Sequence, residues 1–395
     1  MRIGITREVR IPDPVKLERY RRTPELGPRV LFFSGGTALR DTSHHLISLT
    51  HNSIHIITPF DSGGSSAVLR KAFAMPAVGD IRNRLMALAD QTLKGNPEIF
   101  ELFAYRLDHD SDRESLLAEL RSMADGRHRL VRRVPGPMRK IIRNYFFEFL
   151  NHMPEDFDLR GASLGNVVLT AGYLANRRQI EPVIYLFSKL VQVCGTVLPV
   201  VGADCHIAAE LDDGEVVVGQ HLLTGKEAAP LERGVRRIWL TGSLDSREPV
   251  RVAIRRRTRE VMSEAELICY PVGSFYTSLI ANLLPSGVGR AIADNACPKV
   301  FVPNTSHDPE LVGLSVAGQV RVLLDTLCAD DSSLVPQDVL QYVMVDSARG
   351  QYPTGLDIAE VEQLGVRVID CRLVSRRSAP HVDPVLLCGV LLSLT

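Results

Sequence analysis

The stretch Val30-Leu31-Phe32-Phe33-Ser34-Gly35-Gly36-Thr37 decides the fold. Four apolar residues of strand character run straight into two glycines flanked by hydroxyls. The segment that follows carries Leu39, Leu46 and Leu49 at helical spacing. A second apolar alternation, Ile54 and Ile56 around His55, ends at Thr58-Pro59 and reads as another strand. Pro76 closes the short helix after it. Asp80 then stands as an expected N-cap ahead of Ile81, Leu85 and Leu88, which share one helical face. Strand and helix alternating in this way imply parallel pairing with right-handed crossovers.

Outward from that unit the pattern changes three times. Residues 1–28 are polar and proline-interrupted and read as an extension before an α/β domain spanning 29–395. Residues 91–155 are rich in helix formers and charge without a clear strand, which predicts an all-helical insert. Residues 196–242 predict a small antiparallel β appendage. There Asp212-Asp213-Gly214 supplies the turn between strands at Ile207–Leu211 and Val216–Val218. From residue 251 the strand–helix rhythm returns, with strands expected at Leu267–Tyr270, Lys299–Pro303, Tyr342–Val345 and Val366–Ile369. The apolar C-terminal stretch Pro384–Thr395 reads as a buried terminal element.

Several short turns could carry chemistry. In Ser34-Gly35-Gly36-Thr37, the two glycines let backbone N–H groups approach an anion, and the following helix start adds partial positive charge. No Gly-Lys-Ser/Thr follows, so this is not a Walker A loop, and a plain structural turn is the competing reading. Asp61-Ser62-Gly63-Gly64-Ser65-Ser66 closes the second strand, where ligands sit in open α/β sheets. Asp61 falls where a ribose-binding acid belongs and equally suits Mg²⁺ against a diphosphate. In Gly79-Asp80-Ile81-Arg82-Asn83, Arg82 opposes the helix dipole unless an anion is near, which makes it a phosphate candidate. Ser163-Leu164-Gly165-Asn166 and Pro271-Val272-Gly273-Ser274 are each weak alone.

Taken in order, these motifs resemble the CofD/YvcK family. Ser-Gly-Gly-Thr is followed by Asp-Ser-Gly-Gly-Ser-Ser-Ala-x-Leu-Arg-Lys and by Pro-x-x-Gly-Asp-Ile-Arg-Asn-x-Leu. The series continues through Gly161-x-Ser163-Leu164-Gly165-Asn166, Val197-Leu198-Pro199-Val200 and Gly273-Ser274-Phe275-Tyr276-Thr277-Ser278. Asn282-Leu283-Leu284, Asn304 and Glu310 complete it, so the resemblance covers roughly residues 30 to 325. It implies a Rossmann-like, mostly parallel sheet flanked by helices, whose strand ends bind a nucleotide-diphosphate group. One branch transfers phospholactate from a guanosine diphosphate carrier with Mg²⁺; the other is linked to UDP-sugar binding and control of carbon flow and cell-wall metabolism. The Gly-Gly-Ser-Ser and Gly-Asp-Ile-Arg-Asn runs look like the second branch. Where that branch has Asp-Asp-Gly-Gly-Ser-Ser, this chain has Ser62, leaving Asp61 as the expected metal ligand. Two further runs depart as well: Pro271-Val272-Gly273-Ser274 stands for Gly-Pro-Gly-Ser, and Thr305 to Leu311 is altered. The chain thus reads as a divergent CofD-like subgroup.

The expected ligand contacts are therefore Ser34, Gly35, Gly36, Thr37, Asp61, Gly63, Gly64, Ser65, Asp80, Arg82, Asn83, Asn166, Gly273, Ser274 and Asn304. The expected function is a regulatory sensor of a nucleotide-sugar or nucleotide-linked phospho-acid. A Mg²⁺-dependent transferase of the 2-phospho-L-lactate transferase type is the alternative. Catalytic residues stay unassigned, and no tightly bound organic cofactor is expected.

Composition narrows the partners. Forty-six basic residues balance 46 acidic ones, which argues against a non-specific nucleic-acid binder. No apolar run reaches membrane-spanning length and no signal peptide opens the chain, so a cytoplasmic protein with no membrane contact is expected. A homodimer is left open. The seven cysteines are scattered without Cys-x-x-Cys spacing and read as reduced core thiols. His44, His45, His51 and His55 invite a metal reading, but no acid or cysteine is arranged with them, and packed or solvated rings are favoured. His307-Asp308 and His381-Val382-Asp383 are candidate acid–base groups. The basic run Arg121–Arg143, followed by Tyr145, Phe146, Phe147 and Phe149, could bind RNA, although a solvated helix face or subunit contact is favoured.

Overall fold

A computed structural model describes residues 8–92, 95–225 and 229–395. Small parts of the extension, the insert and the appendage (1–7, 93–94 and 226–228) lie outside the described residues. The central element is β1, Val30–Ser34, buried along its whole length. Its residues alternate between two cores: Leu31 and Phe33 face one, Val30 and Phe32 the other. Burial on both sides is why the strand reads as a continuous apolar run rather than an alternating one.

Beside β1 lie β2 (Ile54–Ile57) and then β3 (Thr196–Pro199). The two strands of the small sheet at the hairpin are β4 (His206–Leu211) and β5 (Val216–Val218), and β6 (Val235–Thr241) joins them. The main sheet resumes with β7 (Leu267–Tyr270), β8 (Lys299–Phe301), β9 (Tyr342–Val345) and β10 (Arg367–Asp370). The seven-stranded sheet runs β10-β9-β8-β7-β1-β2-β3 and every pairing in it is parallel. The small sheet is antiparallel, in the order β5-β4-β6.

The order carries a functional consequence. The chain leaves β1 toward β2, and leaves β7 in the opposite direction toward β8. The loops after β1 and β7 thus diverge and open a crevice at the carboxyl ends of the strands, the position where open α/β sheets bind ligands.

Helices Pro97–Ala104, Arg113–Ala124, Arg129–Arg133 and Gly136–His152 pack with Leu164–Ala175 around a core that continues to Ile57 and Val197 on the sheet. The C-terminal helix Pro384–Ser393 is buried against helix Arg40–Leu46. Its far side receives helix Pro14–Arg22, where the Asp13 N–H donates to Ser393 Oγ at 2.8 Å. Among the described residues no helix is long and apolar enough to cross a membrane.

Two readings need correction. Residues 196–199 form the edge of the parallel sheet, so the antiparallel unit begins at His206; β3 looked like its neighbours because both kinds of strand are short and apolar. Asp80 is not a cap: its helix starts at Gly79, after Val78, and Asp80 sits inside the first turn. The helix after the first glycine turn begins only at Arg40, so Thr37 belongs to the loop. That helix ends at Leu46, which keeps His44 and His51 off a common face. His55 stacks on Phe32 at 5.2 Å, fully buried in the sheet.

Candidate ligand site at the strand ends

A cavity of about 370 Å³ opens over the carboxyl ends of β1, β2 and β7. Gly35, Gly36 and Thr37 line it from the first loop, Asp61, Gly63, Gly64 and Ser65 from the second. Asp80, Arg82 and Asn83 come from helix Gly79–Ala87, Asn166 from helix Leu164–Ala175, and Ser274 from the loop after β7. Turns separated by up to 240 residues in the chain therefore share one crevice.

Gly35 shows how tightly the loops meet. A Cβ there would lie 2.7 Å from Thr58 Oγ1, 3.0 Å from Ser278 Oγ and 3.2 Å from Asp80 Oδ2. Only hydrogen fits at that point, so the backbone can descend between the two neighbouring loops. Gly36 next to it adopts φ 51°, a conformation that costs other residues energy.

Two buried arginines hold the loops in place from beneath. Arg84 donates to the Leu39 carbonyl at 2.9 Å and to Ser34 Oγ at 3.3 Å. Arg70 donates to the carbonyls of Phe60, Asp61 and Cys205 at 3.1, 3.0 and 2.6 Å, and it pairs with Asp204 at 2.5 Å. Both guanidiniums are anchored to neighbouring loops by these terminal donors, Arg84 also reaching Ser43 Oγ, although its Nε has no partner among the described residues. Arg82 is not so anchored. Its Nε is fully buried without a partner, and no hydrogen bond to its guanidinium forms among the described residues. Burial, with Arg106 and Arg40 nearby, lowers it from 12.5 to about 10, while Asp80 partly opposes this. Its aliphatic stem packs over Gly165, where a Cβ would sit 2.9 Å from Arg82 Cγ.

On the acidic side, Asp61 Oδ1 accepts the Gly63 N–H at 3.1 Å. Its Oδ2 lies 3.6 Å from where a Gly79 Cβ would stand, so Asp61 borders the turn that carries Asp80. Both carboxylates line the cavity. Among the described residues no cluster of three metal-ligating side chains exists. One or two carboxylates beside phosphate oxygens is nevertheless how Mg²⁺ is held in phosphate sites, and these residues fit that mode.

Three expected contacts do not line the cavity. Ser34 lies beneath it, bonded to Arg84 and, through its carbonyl, to Asn282 Nδ2 at 3.1 Å. Asn304 is a brace: its Oδ1 accepts the Gly273 N–H at 2.9 Å and its Nδ2 donates to the Gly273 carbonyl at 2.7 Å. Gly273 is thereby turned toward Asn304. The same brace continues through Asp308, which accepts the Phe275 N–H at 3.0 Å, and Glu310, which accepts those of Tyr276 and Thr277 at 2.8 and 2.9 Å. Together they anchor the wide π-helical turn Phe275–Ile280, whose Ser278 lines the cavity. Burial and the adjacent Asp308 carboxylate push Glu310 up to about 8, against the pull of these two N–H groups and the Thr277 hydroxyl.

Arg106, Gln220, His221 and Thr224 also line the cavity and were not anticipated. Arg106 follows a helix of the insert and the other three come from the small sheet's helical turn, Gln220–Leu223, and its end. No local spacing connects them to the glycine turns. His307 lies elsewhere, beside a second, smaller cavity with Ser306 and Tyr352. In the basic run, Arg133 pairs with Glu101 and Arg127 with Asp125, both on the surface.

Comparison with known proteins agrees with this architecture. The family model for the 2-phospho-L-lactate transferase CofD matches residues 30–374. The gluconeogenesis factor of Bacillus subtilis is 27% identical over 364 residues, covering 89% of this chain and 92% of its own. A putative gluconeogenesis factor of Thermoanaerobacterium thermosulfurigenes is 30% identical over 361 residues, covering 89% and 92%. One from Nostoc sp. is 30% identical over 354 residues, or 87% of this chain, which spans only 63% of that protein. A crystal structure of a UPF0052 family member from Bacillus halodurans superposes with a TM-score of 0.67 at 23% identity, over 92% of this chain and 99% of that one. That likeness shows the fold.

Proposed function

This chain belongs to the CofD family, and from that premise we propose that it binds a nucleotide-diphosphate ligand in the cavity over β1, β2 and β7. The ligand is a nucleotide-sugar or a nucleotide-linked phospho-acid. The protein acts in the cytoplasm as a regulatory sensor of carbon or cell-wall metabolism, a reading supported by the gluconeogenesis factor names of its relatives.

The observation that carries the ligand class is Arg82. A largely buried guanidinium with no hydrogen bond among the described residues, repelled by Arg106 and Arg40 and only partly offset by Asp80, calls for an anion that arrives from outside. The glycine turns bring backbone N–H groups to the same place. In this reading Gly35, Gly36 and Arg82 hold phosphates, Asp61 positions a ribose or Mg²⁺, and Asn166 and Ser274 shape the remainder. Mg²⁺, when bound, would neutralise diphosphate charge.

Titration calorimetry with GDP, UDP and nucleotide-sugars, each with and without Mg²⁺, tests the proposal. Saturable binding that disappears in Arg82→Met is expected; no binding by any of these ligands refutes it.

A second reading, a Mg²⁺-dependent transferase, draws on Asp61 and Asp80 lining one cavity. Catalysis there would rest on charge stabilisation rather than a protein nucleophile. Turnover of a nucleotide-linked donor, lost in Asp61→Ala, would establish it. Binding without turnover leaves the sensor.

A further inference from the structure

The small sheet reaches the cavity through His221, a side chain that is hydrogen-bonded to the second glycine loop. Ser62 is 6% exposed, and its Oγ has two partners among the described residues, both on His221. It accepts the His221 backbone N–H at 3.3 Å and lies 2.8 Å from His221 Nδ1. A hydroxyl has a single hydrogen to give, and the backbone N–H can only donate. Among the described residues, the one acceptor within reach of the Ser62 hydroxyl is Nδ1. A neutral imidazole that accepts at Nδ1 carries its hydrogen on Nε2.

The ring is also held from below. Gly219 has φ +110°, and a Cβ there would lie 2.6 Å from His221 Cε1 and 2.9 Å from Nδ1. The imidazole rests on bare backbone that no other residue could supply. Its Nε2 forms no hydrogen bond among the described residues, and His221 lines the same cavity as Arg82 and Arg106.

We propose that His221 is an anion-binding residue of this cavity, presenting its Nε2–H to a phosphate oxygen, with Ser62 and Gly219 as positioning residues. The small sheet then supplies a donor wall facing the same ligand that Arg82 and Arg106 draw in from the helical side. This assignment rests on the reading that ligand phosphates occupy the cavity. It also gives Ser62 a use that an acid there would not have: a carboxylate can only accept, so it could not donate to Nδ1.

Two measurements on the full chain test it. Long-range ¹H–¹⁵N spectra of the imidazole rings should show His221 as the Nε2–H tautomer in the wild type and a mixture of tautomers in Ser62→Ala. Calorimetric titration with sodium pyrophosphate should give affinity about tenfold weaker in His221→Ala, the size of one lost hydrogen bond. His221→Gln, which keeps an N–H donor, should recover part of that loss, and Ser62→Ala should fall between. An Nδ1–H tautomer in the wild type overturns the proposal, as does unchanged pyrophosphate affinity in His221→Ala or no pyrophosphate binding to the wild type. Should His221→Ala fail to fold, Ser62→Ala and the wild-type tautomer still decide. Nucleotide binding that ignores His221 would remove this inference and spare the ligand class. Pyrophosphate binding through His221 with no nucleotide binding would do the reverse.

Discussion

Replacing Arg82 with methionine should make the empty protein more stable while removing its ligand. The guanidinium is an under-compensated charge: its Nε has no partner among the described residues, and Arg106 and Arg40 repel it while Asp80 offsets them in part. An arginine lowered from 12.5 to about 10 carries about 3 kcal/mol of unfavourable charge energy, and solvent reaching the half-buried head reduces this to about 1–2 kcal/mol. Methionine keeps the stem that packs on Gly165 while deleting the charge. Urea unfolding of the ligand-free variant should therefore show a gain of about 1–2 kcal/mol at unchanged slope. Adding a nucleotide diphosphate should stabilise the wild type and leave the variant untouched, because only a ligand bound to the folded state raises its stability. A variant that is less stable when empty, yet still stabilised by ligand, would refute the reasoning. Arg82 would then be paired in some way that its burial and neighbours do not reveal.

Glu310 should make stability fall as pH rises. Its folded value of about 8 lies above the ordinary 4.5, so between those two values the unfolded chain has released a proton that the folded chain retains, and each pH increment favours unfolding. Melting temperature measured from pH 5 to 8 should drop in the wild type and flatten in Glu310→Gln. Gly35→Ala forces a methyl to within 2.7 Å of Thr58 Oγ1; it should cost about 1–3 kcal/mol in urea unfolding and weaken ligand binding, since the first loop must lift. Arg70→Met strands Asp204 and three carbonyls; a loss of about 3–5 kcal/mol is expected by the same assay.

How much was legible follows from the range of each interaction. The strand at Val30, its glycine turn and the return of the rhythm after residue 251 are local patterns, since burial on both faces demands apolar runs and tight turns demand glycine. Most of the expected contacts lie on those turns and do share a cavity. The misreadings were of other kinds. The assignment of 196–199 to the small sheet failed because the sequence of a short apolar strand does not say which partner it pairs with. Asn304 was a true feature in the wrong role: nothing in its neighbours tells whether an amide faces a ligand or, as here, both backbone groups of Gly273.

The sequence by itself determined the α/β class, the glycine turns that end the strands and the family, because each rests on residues adjacent in the chain or on an ordered series of short motifs. Only tertiary structure decided which cations face the cavity. Arg70, Arg82 and Arg84 are close in sequence and chemically alike, but the first and third are anchored by carbonyls, a carboxylate or hydroxyls of other elements, while the Arg82 guanidinium forms no hydrogen bond among the described residues. It alone decided, too, that the small sheet closes the site with His221, bonded to a serine 159 residues away. Hydrogen bonds act over about 3 Å of space whatever the separation along the chain, so their partners become known only when the chain is folded.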